Sequence, residues 1–298
     1  MLSPVTGIST AILLEKLDSR QIIELYRKNL NTDVSRFFEN LPSVDVMECP
    51  DTGYRFFAPF SIAGDGRFYE DLQNGYDNYY RDWKWENQFA TGFLQKEMHV
   101  LDIGCGKGAF LTKIKNSVAS CIGLEFNDKA IEKARKEGLE VRKEMIETHA
   151  AGNPEKYDAV CFFQVLEHVC EVKQFLDAAL TTLKPGGLLI IGVPNSDPWL
   201  LRQDKFHTLN LPPHHAGLWN REVFHQLEKF YPMRLEIIGY EPLTAIRQQW
   251  IAVLKYRRLN LLAKLVQLLP GLVFTLFGRY FGRFYQGISM VAVFQKNK

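Results

Sequence analysis

The feature that most constrains the fold is a regular alternation of short apolar runs and amphipathic segments between Met98 and Val193. The apolar runs have the length and composition of buried strands, and the segments between them have the 3.6-residue apolar period of helices. Strands that alternate with helices in this way form a parallel sheet with helices on both faces. The sequence therefore predicts an α/β fold built on a doubly wound parallel sheet.

A glycine-rich turn follows the first predicted strand, in the segment Asp102-Ile103-Gly104-Cys105-Gly106-Lys107-Gly108-Ala109. Glycines let a backbone approach a ligand closely, and the N–H groups of the helix that follows favour a negative group. Glu125 ends the next predicted strand, where an acidic side chain can bind ribose hydroxyls. These residue types indicate a nucleoside-containing cofactor.

Two cofactor classes fit this turn. Gly104, Gly106 and Ala109 satisfy the dinucleotide pattern GxGxxG/A, so an NAD(P)-dependent oxidoreductase is one alternative. Asp102 argues against it, because a carboxylate just before the glycines would repel a pyrophosphate and attract a cationic amino-acid end. The sequence also offers no convincing Tyr/Lys pair for hydride transfer. A non-catalytic scaffold that keeps its cofactor pocket is the second alternative.

Three motifs, at residues 100–108, 164–169 and 183–191, resemble in sequence and order those of class I S-adenosylmethionine-dependent methyltransferases. The resemblance implies a Rossmann-like, doubly wound, seven-stranded sheet whose last strand, at 288–294, is antiparallel. It also implies that S-adenosyl-L-methionine lies across the ends of the first, second and fourth strands.

The resemblance further implies ten cofactor-binding residues: Asp102, Gly104, Cys105, Gly106, Gly108, Glu125, Phe126, Glu144, Met145 and Gln164. The glycines would line the amino-acid portion, with Asp102 near its ammonium. Glu125 would hold the ribose hydroxyls, and Phe126 would flank the adenine. Glu144 and Met145 would meet the adenine edge, and Gln164 would lie beside the methionine portion.

No metal is expected. Some relatives bind a divalent metal through a Glu-x-x-Glu-His pattern at the position of residues 164–168, but here Gln164 replaces the first acid. An amide is a weaker ligand for a hard cation than a carboxylate. Glu167 and His168 are therefore predicted to cap and pack the helix that follows. Cys49 begins a zinc-ribbon-like segment, but a lone cysteine does not hold zinc.

The methyl acceptor is expected to meet the loop at residues 194–220, which follows the fifth strand at the carboxyl edge of the sheet. Within it, Pro212-Pro213-His214-His215 holds two imidazoles on a stiff backbone. Histidine is suited to removing a hydroxyl proton near neutral pH, so His214 and His215 are the predicted catalytic residues. Residues 212–220 resemble a stretch of sugar-modifying relatives. This resemblance implies O-methylation of a sugar or of another small or lipid-linked acceptor.

The charged residues are distributed unevenly, with an acidic body followed by a basic tail. Residues 243–298 hold nine of the 36 Lys and Arg and none of the 34 Asp and Glu. The amphipathic part, at 255–285, predicts a substrate lid, and contact with an anionic membrane surface is the alternative. No nucleic-acid-binding motif accompanies the basic residues, so no nucleic-acid partner is expected.

The predicted organisation has four segments: a helical and irregular accessory region (1–95), a methyltransferase core (96–242), a basic amphipathic helical insertion (243–286) and a closing strand (287–298). Residues 9–38 are predicted to be helical. Scattered cysteines and the lack of a signal-peptide pattern predict a cytoplasmic protein. The membrane alternative would place it at the inner membrane face. The sequence leaves the oligomeric state open.

Overall fold

The computed structural model describes residues 1–75, 83–196, 207–242, 260–271 and 287–298, and the single positions 247, 251, 254, 273 and 276. In this part of the chain the strands are β1 (Ile12–Asp18), β2 (Ser43–Glu48), β3 (Arg55–Ala58), β4 (His99–Ile103), β5 (Ser120–Leu124), β6 (Val141–Arg142), β7 (Tyr157–Phe163), β8 (Leu183–Pro194), β9 (Gly217–Leu218), β10 (Met233–Tyr240) and β11 (Ser289–Lys296). The α-helices are α1 (Ser19–Leu30), α2 (Gly66–Gly75), α3 (Trp85–Thr91), α4 (Ala109–Ile114), α5 (Asp128–Lys136), α6 (Ile146–Gly152), α7 (Val172–Thr182), α8 (Arg221–Leu227) and α9 (Asn260–Leu268).

The larger sheet has seven strands in the order β10-β11-β8-β7-β4-β5-β6. The run from β8 to β6 is parallel, and β11 is antiparallel to both of its neighbours. The prediction of a seven-stranded sheet with an antiparallel last strand is confirmed. The carboxyl ends of β4, β5, β7 and β8 consequently meet at one edge of the sheet.

The central strands are apolar on both faces because helices cover both faces. Successive side chains of a strand point to opposite sides, so each central strand contributes side chains to two separate hydrophobic clusters. In β4, Leu101 belongs to one buried cluster and Val100 to the other. In β7, Val160 and Ala159 divide in the same way. The near-continuous apolar runs that were recognisable in the sequence are the consequence of this double burial.

The N-terminal region corrects one prediction. Residues 9–38 are not one helical segment, because β1 covers Ile12–Asp18 and pairs antiparallel with β2. A short apolar run carries no decisive period, so its pairing with a distant strand determines its conformation. Helix α1 begins only at Ser19, where the Asp18 side chain accepts hydrogen bonds from the backbone N–H groups of Arg20 and Gln21.

A second sheet joins the accessory region to the core. Its strand order is β1-β2-β3-β9, and β9 comes from the segment that follows β8. The boundary predicted at residue 95 therefore separates segments that share a sheet, and a helical and irregular description of residues 1–95 is wrong. Trp219, directly after β9, is buried with its ring 4.6 Å from that of Tyr54 and 5.4 Å from that of Phe224.

The insertion before β11 contains α9, which lies within the segment at 243–286 that was predicted to be helical. Most of 272–285 lies outside the described residues. In α9, Ala263 and Val266 are buried, whereas four leucines are exposed: Leu261, Leu262, Leu265 and Leu268. No helix in the described ranges is both long enough and apolar enough to span a bilayer.

Replacing Tyr26 with Phe tests the contact between α1 and the loop before β9. The buried Tyr26 hydroxyl donates a hydrogen bond to the Leu211 carbonyl at 2.8 Å. Tyr26→Phe is expected to lower the free energy of unfolding by about 1–2 kcal/mol, because the Leu211 carbonyl loses one of its donors and the His214 N–H loses one of its acceptors. Urea denaturation measures this difference.

Tyr240→Phe is the matched control, because the buried Tyr240 hydroxyl has no hydrogen-bond partner among the described residues. Its removal is expected to change the free energy of unfolding by less than about 0.5 kcal/mol. Equal losses in the two variants would show that the Tyr26 hydrogen bond does not stabilise the fold.

Candidate active site

The predicted glycine turn lies between β4 and α4, at the carboxyl edge of the sheet. Gly104, Gly106 and Gly108 have φ values of 70°, 54° and 78°, in the left-handed region that favours glycine. A Cβ at Gly104 or Gly108 would overlap a neighbouring side chain, whereas a Cβ at Gly106 would meet no atom within 4 Å. Packing therefore requires the outer two glycines, and the middle one faces open space where a ligand can approach.

Asp102 is a buried carboxyl group beside this turn. Its side chain is 2% exposed, and none of the described residues donates a hydrogen bond to its carboxylate. Burial raises the pKa of Asp102 well above its usual range, and the nearby charge of Glu125 raises it further. A buried carboxylate without donors is stabilised by a cation. The site therefore fits the ammonium of an amino-acid group.

Backbone amides fix the position of Glu125. Its Oε2 accepts a hydrogen bond from the N–H of Gly106 at 2.8 Å, and its Oε1 accepts from Phe126 at 2.6 Å and Asn127 at 2.9 Å. These bonds hold the carboxylate between the glycine turn and the end of β5. Carboxylate oxygens have further lone pairs, so the group can still accept hydrogen bonds from a vicinal diol.

Two exposed apolar side chains lie beyond the ends of neighbouring strands. Phe126 follows β5 and Met145 follows β6, and each is 52% exposed. Since β5 and β6 pair in parallel, both residues lie at the same edge, where a flat base could pack on them.

Glu144, predicted to meet the adenine, has a partner within the protein. Its Oε1 is 2.7 Å from Nδ1 of His149, and Nε2 of His149 is 2.8 Å from the Tyr157 hydroxyl. The described structure thus gives Glu144 a structural partner, and its contact with a cofactor stays a prediction.

Gln164 directly follows β7 and has an uncommon backbone conformation. Its φ is 57°, which is rare for a residue other than Gly, Asn or Asp, and such strain clusters at functional sites. The backbone N–H donates to the Gly192 carbonyl at 2.7 Å, and the side-chain amide donates to Oε1 of Glu86 at 2.9 Å. The next residue, Val165, packs against Gly104, which places this turn beside the glycine turn.

The two predicted catalytic histidines lie in a cluster of three. His214 and His215 are 6% and 4% exposed, and the ring centroids of His168, His214 and His215 are 4.5–5.1 Å apart. One ring nitrogen from each lies within 4.8 Å of the other two. Burial lowers the pKa of His168 to about 4 and holds the pKa values of His214 and His215 well below their usual range. The three imidazoles, named here the histidine cluster, are therefore neutral.

The prediction that Glu167 and His168 cap the next helix is wrong. Both residues lie in a 3-10 turn at Leu166–His168, and α7 begins only at Val172, with Glu171 at its N-cap position. His168 instead turns its ring towards the 207–219 loop. The Ala216 N–H donates to the Glu167 carbonyl at 2.8 Å and joins the same loop to the turn.

Glu167 places a second buried carboxylate beside the histidine cluster. Its side chain is 2% exposed, and neither oxygen has a hydrogen-bond partner among the described residues. Oε1 lies 3.8 Å from Nε2 of His168. Burial raises the pKa of Glu167 to about 8.

Sequence reasoning did not assign Glu86, Tyr69 or His168 to the site. Tyr69 lies in α2, and its hydroxyl is 3.1 Å from Nδ1 of His168. Glu86 is a buried acid in the first turn of α3. Neither position carries a local motif, because the partners of both residues are distant in the chain.

Comparison with known proteins identifies the family. Residues 76–250, more than half of the chain, match the family model described as "Methyltransferase domain". The chain belongs to this family. It is a methyltransferase that uses S-adenosylmethionine, as its motifs predicted. Of the two enzyme classes considered from the sequence, the oxidoreductase is not supported.

Two curated relatives and one solved structure illustrate the match. The chain is 28% identical over 181 residues to the ubiquinone biosynthesis O-methyltransferase of Klebsiella pneumoniae subsp. pneumoniae, covering 58% of this chain and 70% of the relative. It is 34% identical over 123 residues to the Nitrosospira multiformis protein of the same name, covering 38% and 52%. The crystal structure of the PH0226 protein from Pyrococcus horikoshii OT3 superimposes with a TM-score of 0.51 at 14% identity, covering 76% and 99%, which shows a shared fold.

The variant Gly106→Ala tests whether the cofactor lies beside the glycine turn. The new methyl group would point into open space beside Glu125, where the cofactor is expected to lie. We expect the affinity for S-adenosylhomocysteine, measured by calorimetry, to fall at least about tenfold, which corresponds to about 1.4 kcal/mol. The left-handed backbone at this position adds a loss of about 1–2 kcal/mol in stability.

Gly138→Ala provides the matched control. Gly138 also has a positive φ, of 74°, and its Cβ would meet no atom within 4 Å, but it lies after α5 and outside the turn between β4 and α4. The control is expected to lose similar stability and to keep its affinity. Unchanged affinity in Gly106→Ala would contradict the placement of the cofactor.

Proposed function

We propose that the protein transfers the methyl group of S-adenosylmethionine to a hydroxyl oxygen of a small acceptor, bound between the glycine turn and the histidine cluster. The observation that carries this proposal is the position of the cluster. His168 lies three residues after Val165, at the end of the 3-10 turn, and Val165 packs against Gly104. Groups suited to an acceptor hydroxyl therefore adjoin the groups suited to the cofactor.

The residues on the cofactor side of the site would position and orient S-adenosylmethionine. Asp102 would bind the ammonium, Glu125 the ribose hydroxyls, and the strained turn at Gln164 the methionine portion. When bound, S-adenosylmethionine supplies a sulfonium methyl group that is open to in-line displacement. Such a reaction requires little covalent chemistry from the protein, so that alignment and exclusion of water provide most of the rate enhancement.

The acceptor side has to promote loss of a hydroxyl proton. Neutral imidazole nitrogens accept hydrogen bonds from hydroxyl groups, and the histidine cluster presents three such rings. This supports the placement of His214 and His215 beside the acceptor. Since the relatives are named O-methyltransferases, oxygen is the proposed acceptor atom. A phenolic hydroxyl and a sugar hydroxyl, free or lipid-linked, are the two acceptor classes to compare.

A labelled-methyl transfer assay tests this function. Wild-type protein is expected to transfer label from S-adenosylmethionine to either phenolic or sugar acceptors. Asp102→Asn is expected to weaken S-adenosylhomocysteine binding about 10- to 100-fold, because a hydrogen bond to a charged partner contributes about 1.5–3 kcal/mol.

Asp158→Asn is the control for Asp102→Asn. Asp158 lies at the opposite end of the sheet, where it accepts from the His99 N–H and Lys184. Its replacement is expected to leave cofactor binding unchanged. Folded wild-type protein that binds no S-adenosylhomocysteine, or that methylates nitrogen acceptors only, would overturn the proposal.

We also propose that α9 contacts a membrane surface, which was the alternative to a packed lid. A lid would bury its apolar residues against the core, yet Leu261, Leu265 and Leu268 are 76%, 54% and 78% exposed. The surrounding segment, 243–298, contains no acidic residue. Exposed apolar groups within a basic segment suit an anionic lipid surface.

Sedimentation with anionic vesicles tests the contact. The double variant Leu261→Ser, Leu265→Ser is expected to bind at least about tenfold more weakly than wild type, because two apolar side chains no longer enter the lipid. Binding should also weaken as salt rises. The control Leu13→Ser, Leu14→Ser alters side chains that are 46% and 45% exposed on β1 and should bind normally. Wild-type protein that stays in the supernatant at low salt would exclude this proposal.

A further inference from the structure

We propose that His168, His214 and His215 bind a divalent transition-metal ion of the Zn²⁺ type through one ring nitrogen each. The ion would lie on the acceptor side of the proposed function, but the three imidazoles that would bind it are in place whether or not that function holds. The absence of a metal was expected from the sequence because Gln164 does not complete a carboxylate pattern. The structure assembles a different set of donors, with two of its three members from the 207–219 loop.

The spacing of the three nitrogens suits one ion. They all lie within 4.8 Å of one another. A tetrahedral Zn²⁺ with nitrogens at about 2.0–2.1 Å requires nitrogens about 3.3 Å apart, so each pair would approach by about 1.5 Å at most. Rotations of the imidazole rings about their side-chain bonds provide movements of this size.

Backbone carbonyls orient two of the rings as ligands. Nδ1 of His168 lies 2.6 Å from the His214 carbonyl oxygen, and Nδ1 of His214 lies 2.7 Å from the Leu209 carbonyl oxygen. A carbonyl only accepts, so each Nδ1 carries the proton and each Nε2 has the lone pair. Histidines that ligate metals almost always donate their other N–H to such a group. The Tyr69 hydroxyl also donates to the His214 carbonyl, at 3.2 Å.

The charges around the cluster are compatible with a cation. Glu167 is buried with Oε1 3.8 Å from Nε2 of His168, and Glu86 also lies close to Glu167. Lys84 contributes a positive charge on the same side. Two carboxyl groups and one ammonium group thus lie near the three rings. Glu167 lies outside the group of mutually close donors, so it is not one of the three proposed ligands.

The donor set selects the kind of ion. Three imidazoles suit Zn²⁺ and related first-row ions, whereas Mg²⁺ prefers oxygen. The Gln164 side chain is not part of this donor set, and its amide donates a hydrogen bond to Glu86. Three protein ligands leave a fourth position for an oxygen, which is the arrangement of catalytic zinc sites. A hydroxyl bound there loses its proton to water more readily. Its oxygen would then form a bond to the methyl carbon as the carbon–sulfur bond breaks and its electrons pass to sulfur.

Cobalt titration tests the site directly. Full-length protein, freed of metal by dialysis against a chelator, is titrated with Co²⁺ while visible absorption is recorded. We expect one ion per chain and the strong bands of four-coordinate Co²⁺, with Zn²⁺ displacing it. His168→Gln and His215→Gln are each expected to lower the affinity at least 100-fold. Tyr69→Phe is expected to lower it by about tenfold, as loss of a supporting hydrogen bond does.

His225→Gln controls for binding by surface histidines, because His225 is exposed on α8. It should bind Co²⁺ as wild type does. Unfolding curves and S-adenosylhomocysteine calorimetry show whether each variant is folded. His168→Gln is expected to disturb the fold least, because His168 is the partly exposed member of the cluster. Wild-type protein without a cobalt spectrum, or equal affinity in His168→Gln and His225→Gln, would overturn the site. Metal binding without any methyl transfer would instead overturn the proposed function and leave the site intact.

Discussion

The parallel register of the central strands is the constraint on which the rest of the structure depends. β4 pairs with β5 on one side and β7 on the other, so three strands end together at one edge. Their interiors are buried on both faces and carry only apolar groups and Asp102, which lies close to the strand end. Polar chemistry is therefore restricted to the turns that follow the strands. The glycine turn, Glu125 and Gln164 are neighbours for this reason, although they are far apart in the chain.

The acceptor side depends on contacts of another kind. The histidine cluster forms because the turn after β7 and the loop before β9 are joined by backbone groups, including the Glu167 carbonyl and the His214 carbonyl. The accessory sheet stabilises that loop from behind, through Tyr26 on α1 and through β9 itself. The accessory region thus holds half of the proposed site in place, and it contributes Tyr69 to the cluster as well.

The difference between local and distant contacts explains what the sequence could predict. The parallel strands and the glycine turn follow from patterns within short windows, because strand, turn and helix each have a local signature. The number of seven strands and the antiparallel last strand were implied by the family resemblance. β1 was missed because only its pairing with β2 distinguishes it from the start of a helix. His168 was assigned to a helix cap because its partners lie 46 and 47 residues further along the chain. Glu86 was overlooked for the same reason, since it meets Gln164 only in the folded protein.

Two buried carboxylates connect these observations to function. Asp102 and Glu167 are each 2% exposed, and no described residue donates a hydrogen bond to either carboxylate. Burying an unpartnered charge is costly, so folded proteins keep such groups where a ligand or ion completes them. Asp102 lies beside the turn that would receive a cationic amino-acid group, and Glu167 lies beside three neutral imidazoles. The proposed cationic cofactor beside Asp102 and the proposed metal ion beside the histidine cluster would each bring positive charge next to one of these buried carboxyl groups.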